Sequence, residues 1–276
     1  MNKINSIIAF CSIFWCSGAF GLTNNLNDLI ICKNIILWSD STYSVVFFTG
    51  VRSDHNIIIA GSSCENDGLC HIIISCYSPN GELFKPFGVN GKCIYKSDEG
   101  RRFVKLEKNI AILQPDDKLL ISAASSQGMM QKYSALIRIS AEGFLDTTFA
   151  SGGVIDKYSE TDFADFLCVE KDGKIIAAGQ TFLGEHKVVV TRYFENGKTD
   201  STFGIKGKTI IDLAHTEDVI QSLFIENDRI IIVKKSRAFD PGKIYLSIVR
   251  LSLNGIIDYS FGNKGELIIS IDNPDR

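Results

Sequence analysis

The stretch GKTDSTFGIKG, from Gly197 to Gly207, decides the fold because it recurs three more times along the chain. In each copy a glycine is followed six residues later by a phenylalanine and four residues after that by a second glycine. The other copies are GELFKPFGVNG at 81–91, GFLDTTFASGG at 143–153 and GIIDYSFGNKG at 255–265. Their phenylalanines are separated by 62, 54 and 58 residues: Phe87, Phe149, Phe203 and Phe261. Self-similarity at a nearly fixed period indicates a repeat architecture.

Four short apolar segments accompany each copy. In the third copy they read ADFLCVE, KIIAAG, VVVTRYF and KTIIDL. Such segments are rich in Ile, Val, Phe and Tyr and are bounded by Gly, Asn, Asp or Pro, which predicts β-strands. None sustains a 3.6-residue period for ten residues, so almost no helix is expected. Four strands in each unit of about 58 residues predict an all-β fold, a β-propeller of about four four-stranded blades.

The repeat resembles a known family. The segments DGKIIAAG and VVVTRYFENGKTDSTFGIKGKTIIDL, with their echoes in the other copies, look like the delta-60 repeat, a bacterial β-propeller repeat of unknown function. The resemblance covers residues 34–271, and copy three (162–213) matches best. It implies structural roles for the pattern residues, and it supplies no catalytic residues to transfer.

The turn residues have conformational and packing roles in this interpretation. Aspartates are expected to bond nearby backbone N–H groups, and glycines to adopt positive φ. The phenylalanines are expected to fill the gap between adjacent blades. The predicted structural turn consists of these phenylalanines together with Gly91, Gly153, Gly207, Gly265, Asp146, Asp200 and Asp258.

The same stretch superficially resembles a phosphate-binding loop, since Lys208 and Thr209 follow Gly207. A phosphate loop needs glycine five residues before the Gly-Lys pair, and Thr202 stands there. It should also lead into a helix, whereas KTIIDL predicts a strand. We therefore expect no nucleotide cofactor at this turn.

The first 21 residues predict a secretory signal peptide. Lys3 supplies the positive charge, Ile7–Cys16 the apolar region, and Ala19 and Gly21 the small residues before a cleavage site. The mature chain, 22–276, is then a single secreted or periplasmic domain without a membrane span. Its four repeats are placed at about 34–91, 92–153, 154–207 and 208–271.

The cysteine positions and the net charge limit the disulfides, metal sites and partners that we expect. Cys64 and Cys70 flank a turn-forming loop, so they are candidates for a disulfide, the alternative being two free thiols. A zinc site is not expected, because Cys70 and Cys76 lie about 20 Å apart on an extended strand. The net charge of −3 argues against a nucleic-acid partner.

No hydrolase or metalloprotease motif is present. Histidines 55, 71, 186 and 215 are scattered over the repeats, and carboxylates cluster at 98–99 and 160–165. The leading hypothesis is a non-enzymatic scaffold for a protein or glycan partner, without cofactor or metal. The alternative is a propeller hydrolase or lyase with a site at the central channel. The propeller is either a closed ring or an open arc, and an open arc is expected to form homo-oligomers.

Overall fold

The computed structural model describes residues 43–64, 70–96, 102–103, 110–127, 131–157, 164–180, 187–211, 217–237 and 244–271. These residues form strands and turns, without a helix in the ranges named. The strands are β1 (Tyr43–Val51), β2 (Ile57–Cys64), β3 (Cys70–Tyr77), β4 (Lys92–Lys96), β5 (Arg102–Phe103), β6 (Ile110–Leu113), β7 (Leu119–Gln127), β8 (Gln131–Ile139), β9 (Val154–Lys157), β10 (Phe166–Val169), β11 (Ile175–Gln180), β12 (Val188–Tyr193), β13 (Lys208–Ile211), β14 (Glu217–Glu226), β15 (Arg229–Arg237), β16 (Ile244–Ser252) and β17 (Glu266–Ile271).

The strands form four antiparallel four-stranded units, which we call blades 1 to 4. Blade 3 has the order β10-β11-β12-β13 and blade 4 the order β14-β15-β16-β17. Blade 1 contains β1 to β4 and blade 2 contains β6 to β9, each paired in the same consecutive order. The two-residue strand β5 pairs with β3 and β7 and joins these two blades into one sheet. The all-β prediction with four-stranded blades is confirmed.

Each Phe–Gly turn connects the third strand of a blade to the fourth strand of the same blade. In blade 3 the turn lies between β12 and β13, and these strands pair from Val188↔Ile211 to Thr191↔Lys208. The repeat boundaries inferred from the sequence fall just before this fourth strand. The blades therefore begin and end one strand later than those boundaries, since a repeated sequence does not define where its unit starts.

The hairpin between the first and second strand is equally regular in blades 1 to 3, whereas blade 4 has a two-residue turn at Asn227 and Asp228. His55, Asp117 and Gly173 occupy matching positions in it with φ of 65°, 63° and 83°. Short polar side chains and glycine tolerate this left-handed conformation best. This turn and the Phe–Gly turn are at the same end of the blade, because the strands alternate in direction.

Apolar residues are buried on both faces of the sheets. All six residues of β12 are buried, which explains its continuous apolar sequence. The described residues form three core clusters, one between each consecutive pair of blades. Blades 1 and 2 share a cluster around Ile72 and Ile137. Blades 2 and 3 share one around Phe149 and Ile175, and blades 3 and 4 share one around Phe203 and Ile232.

The first strands of the blades contact one another in chain order: β1 contacts β6, β6 contacts β10, and β10 contacts β14. Within the ranges given above, blade 4 and blade 1 do not form a fourth packed interface of this kind. The described residues therefore form a row of four blades joined by three packed interfaces.

Candidate functional site

An arginine on the third strand organises the Phe–Gly turn of blades 2, 3 and 4. In blade 3, Arg192 donates from Nε to Asp200 Oδ2 at 2.9 Å, and its guanidinium carbon lies 5.0 Å from the centroid of the Phe203 ring. Arg138 repeats this with Asp146 at 2.8 Å and Phe149 at 4.5 Å. The arginine thus makes an ion pair and a cation–π contact at once.

The same arginine also joins its blade to the next one. Arg138 Nη1 donates to the carbonyl oxygen of Glu195 at 2.5 Å, and Arg192 Nη1 donates to that of Leu253 at 2.6 Å. Both acceptors belong to the Phe–Gly turn of the following blade. A buried charge therefore has three partners and is compensated within the interface.

A backbone hydrogen bond accompanies each of these contacts. The donor is the backbone N–H of the residue that follows the turn phenylalanine. The acceptor is the carbonyl oxygen of the residue that precedes the first turn glycine in the following blade. The three bonds run from Gly88 to Glu142 at 2.7 Å, from Ala150 to Asn196 at 2.8 Å and from Gly204 to Asn254 at 2.8 Å. All three interfaces between blades therefore share one contact pattern.

Blade 1 makes this contact with a different arginine. Cys76 stands at the arginine position of its third strand, and Phe84 stands at the aspartate position. Arg52, from the turn between β1 and β2, lies 5.9 Å from the Phe87 ring centroid and donates to the carbonyl oxygen of Ala141 at 2.5 Å. The contact to blade 2 is preserved although the residue that makes it has moved.

The turn aspartates each accept a hydrogen bond from the residue two positions later. Asp200 Oδ1 accepts from the Thr202 backbone N–H at 3.0 Å and from its hydroxyl at 2.6 Å. Asp146 accepts from Thr148 at 3.1 and 2.6 Å in the same way. Burial raises the pKa of Asp200, but the bonds from Thr202 and the charge of Arg192 outweigh it, so the pKa lies below its usual value.

Glu170 is the buried carboxylate on the other side of Arg192, at 3.3 Å from Nη1. Its burial raises the pKa of this side chain despite the attraction of Arg192. A carboxyl group with a raised pKa is a candidate for acid–base chemistry in an active site. Here, however, it is buried against the arginine that joins blades 3 and 4, which is a structural position.

A cleft of about 510 Å³ opens between blades 2 and 3 at the end that carries these turns. It contains both signs of charge: Lys174 and Asp172 form one exposed ion pair, and Lys118 pairs with Asp116 at its margin. The lining residues are Lys118, Arg138, Thr148, Asp172, Lys174, Phe194, Glu195 and Asn196. The cleft suits a polar or mixed ligand surface more than an apolar small molecule.

The same end exposes large apolar side chains, and we call it the turn end. It is formed by the Phe–Gly turns and by the hairpins at 52–56, 114–118, 170–174 and 226–229. Phe194, which also lines the cleft, is 40% exposed. The other exposed apolar residues of these Phe–Gly turns are Val89, Phe144, Ile205, Ile256 and Tyr259. Apolar side chains repeated at one end of a repeat array are a feature of interaction surfaces.

The residues singled out in the sequence are distributed as follows. Phe87, Phe149 and Phe203 are buried between blades, whereas Phe261 is only half-buried. Gly91, Gly153, Gly207 and Gly265 have φ between 85° and 95°. Asp146 and Asp200 are buried, and Asp258 is partly exposed. The sequence interpretation missed the arginines, although an arginine five residues before the turn glycine recurs in three copies.

The backbones of Cys64 and Cys70 lie opposite each other in the β2–β3 hairpin. Cys70 is in a disulfide. The Cys64 side chain lies outside the described residues, so the pairing of these two cysteines stays a prediction. Cys76 and Cys93 are free thiols.

Other predicted features lie in parts of the chain that the structure does not describe. These are the signal peptide, His186, His215 and the carboxylates at 98–99, 160 and 162. Asp165 precedes β10 and His71 is buried in β3. In the described ranges no three His, Cys, Asp or Glu side chains are grouped as metal ligands. Nor does any helix there have the length and hydropathy to cross a membrane.

Two segments of the chain match a family model described as a domain of unknown function (DUF5122) beta-propeller. The matched residues are 114–149 and 170–203, which extend from the first hairpin turn to the Phe–Gly turn in blades 2 and 3. The chain is a β-propeller repeat protein. The matched segments of the propeller include Arg138, Arg192 and the phenylalanines beneath them.

Among solved structures, the propeller is similar to the β-propeller domain of the Trilobed protease from Pyrococcus furiosus, described as having an open velcro topology. The sequence identity is 9% and the TM-score 0.44. The match covers 84% of this chain and 58% of that structure, so this chain spans little more than half of its length. No curated protein matches the sequence of the propeller.

Proposed function

We propose that this propeller is a secreted, non-enzymatic interaction scaffold that binds a protein or glycan partner with its turn end. The observation that carries the proposal is the exposure of large apolar turn side chains around the cleft between blades 2 and 3. Exposed aromatic rings beside paired charges resemble the composition of protein interfaces. The charged groups buried near the turns have structural partners, which leaves the surface residues for recognition.

We also propose that the repeats are of the delta-60 type. The G-x₅-F-x₃-G spacing of all four turns supports this, as do the family-model matches in blades 2 and 3. Secretion is supported by the composition of residues 1–21. Expression in a secreting host, followed by N-terminal sequencing, tests it: a mature chain that starts at Leu22 agrees, and a retained Met1 contradicts it.

Binding is tested with the full chain on an array of immobilised oligosaccharides and peptides. Variants Phe144→Ser and Phe194→Ser remove apolar surface from the turn end. The matched control is Ile210→Ser, because Ile210 is 57% exposed on the outer strand β13, away from these turns. We expect the two turn variants to reduce binding at least about tenfold and the control to leave it unchanged.

Equal binding by all three variants would contradict the proposal. Release of cleaved or eliminated product from the array would favour the hydrolase or lyase alternative instead. Both outcomes are read in the same experiment if the wash from each position is analysed by mass spectrometry.

A further inference from the structure

Blade 4 carries the same contact residues as blades 2 and 3, but no blade among the described residues follows it. Arg250 donates from Nε to Asp258 at 2.9 Å, and its guanidinium carbon lies 4.4 Å from the Phe261 ring centroid. Among the described residues, neither Arg250 Nη1 nor the N–H of Gly262 has the carbonyl partner found at the other interfaces. We call Arg250, Phe261 and Gly262 the plug.

The surrounding face of blade 4 is apolar and partly exposed. Phe224, Leu267 and Ile269 are 36%, 42% and 44% exposed on the side that faces away from blade 3. The corresponding positions of blade 3 are Cys168, Thr209 and Ile211, which lie against blade 4. The outer face of blade 4 therefore has the composition of a blade interface.

Blade 1 carries the positions of the corresponding acceptor site, which we call the socket: Pro79, Asn80 and Gly81. These residues match Leu253, Asn254 and Gly255 of blade 4, whose carbonyl groups accept from Arg192 and Gly204. A Cβ atom added to Gly255 would lie 2.7 Å from the Phe203 ring, because that ring packs on the glycine. A Cβ added to Gly81 would meet nothing within 4 Å, and Gly81 is exposed.

The other internal interfaces fit the same template. A Cβ at Gly143 would lie 2.7 Å from the Phe87 ring, and one at Gly197 would lie 2.9 Å from the Phe149 ring. A glycine is thus required wherever a phenylalanine from the preceding blade is present. Gly81 is also a glycine and has a similar φ of 82°, but no phenylalanine of the described residues packs against it.

We propose that a second copy of this chain occupies both surfaces, with the plug of one copy in the socket of the other. Among the described residues of one chain, nothing occupies the plug or the socket, so the partner that fits each is the other end of another copy. A head-to-tail contact of this kind is heterologous and closes when the rotation permits. Two copies that make it twice form a two-fold symmetric ring of eight blades, a number found among propellers.

Sedimentation of the full chain across a dilution series tests the proposal. We expect a dimer that dissociates on dilution. Leu267→Glu places a charge in the outer face of blade 4, and Ile268→Glu is its matched control. Ile268 is the next residue of β17, is similarly exposed at 46%, and points to the opposite face. We expect Leu267→Glu to weaken association at least about tenfold and Ile268→Glu to leave it unchanged.

The socket is tested with Gly81→Asn, since asparagine tolerates positive φ and its side chain would meet Phe261 of the other copy. Gly152→Asn is the control: Gly152 has φ of 70° and nothing within 4 Å of its Cβ position, and Asn90 occupies the matching site in blade 1. We expect Gly81→Asn to be monomeric at concentrations where Gly152→Asn is dimeric. Circular dichroism on all four variants checks that each is folded.

Mixing the two defective variants distinguishes head-to-tail contact from other dimers. Gly81→Asn retains an intact plug, and Leu267→Glu retains an intact socket. In a mixture, the plug of Gly81→Asn should therefore bind the socket of Leu267→Glu through one unaltered interface. A dimer that joins blade 4 to blade 4 would not be restored by mixing. A wild-type chain that is monomeric throughout the series would overturn the proposal. So would a Gly81→Asn variant that loses more thermal stability than Gly152→Asn by the same margin at every concentration, because that result indicates ring closure within one chain.

Discussion

The guanidinium carbon of Arg192 lies 5.0 Å from the centroid of the Phe203 ring, between two blades of the propeller. This one relationship combines the conformation of the turn, the compensation of a buried charge and the contact to the next blade. It recurs with Arg138 and Phe149, and again with Arg250 and Phe261. Blade 3 has a following blade and blade 4 has none among the described residues, so equivalent substitutions in these two blades control for each other.

Phe203→Ala should lower the free energy of unfolding by about 3–5 kcal/mol, because it leaves a cavity in a fully buried interface. Phe261→Ala should cause a smaller loss, since its ring is only half-buried in a single chain. Urea unfolding of both variants, at a dilution where association is absent, measures the difference. Equal losses would show that Phe203 does not pack between blades as described.

Arg192→Ala should lower the free energy of unfolding by about 3–5 kcal/mol, because it leaves Asp200 and Glu170 buried without their counter-charge. Arg250→Ala should lower it by about 1 kcal/mol or less, because its side chain is 30% exposed. Thermal unfolding of the two variants side by side checks the order. A larger loss for Arg250→Ala would refute this account of the arginines.

Acid should destabilise the propeller through its turn aspartates. In the folded chain the pKa values of Asp146 and Asp200 are lowered from 3.8, so their stabilisation is complete above that value. It is lost as the pH falls through the lower, folded pKa values. Glu170 acts in the opposite direction, because its raised pKa favours its protonated form in the folded state.

Melting temperatures between pH 2 and pH 7 test this dependence. Asp200→Asn should be less stable at neutral pH and should show a shallower decline in acid than the parent chain. An unchanged pH profile in that variant would mean that Asp200 does not contribute the expected stabilisation.

The free thiols of blade 1 should react slowly in the folded chain. Burial raises the pKa of both Cys76 and Cys93 to about 11, so the reactive thiolate is scarce at pH 8. Iodoacetamide labelling followed by mass spectrometry should modify both cysteines only after unfolding. Rapid modification of Cys93 in the native chain would contradict its burial against the interface with blade 2.

The repeat made most of the fold predictable from the sequence. Four Phe–Gly turns with four short apolar segments each define an all-β array, and β10 to β13 fall close to the segments read in copy three. The role of Arg192 was not predictable in the same way, because one arginine in an apolar strand does not reveal its partners in another blade. Arg52 illustrates the limit further: it makes the equivalent contact from an unrelated position in the sequence.

The sequence also did not predict which blades lack a neighbour among the described residues. Gly81 follows the same pattern as Gly255, and only the structure distinguishes the glycine that carries a phenylalanine from the one that does not. The repeated sequence predicts which residues of a blade can form an interface. It does not predict which blade has a neighbour that completes the interface.

Phe87, Phe149 and Phe203 each pack on the first turn glycine of the next blade, and this contact joins the blades. Urea unfolding of Gly255→Ala and Gly81→Ala, at a dilution where chains do not associate, tests it most directly. The two glycines have φ of 78° and 82°, so both variants carry similar backbone strain of about 1–2 kcal/mol. Only Gly255→Ala also forces a Cβ against Phe203, so it should lose about 1–3 kcal/mol more. Equal losses in the two variants would show that Phe203 does not pack on Gly255.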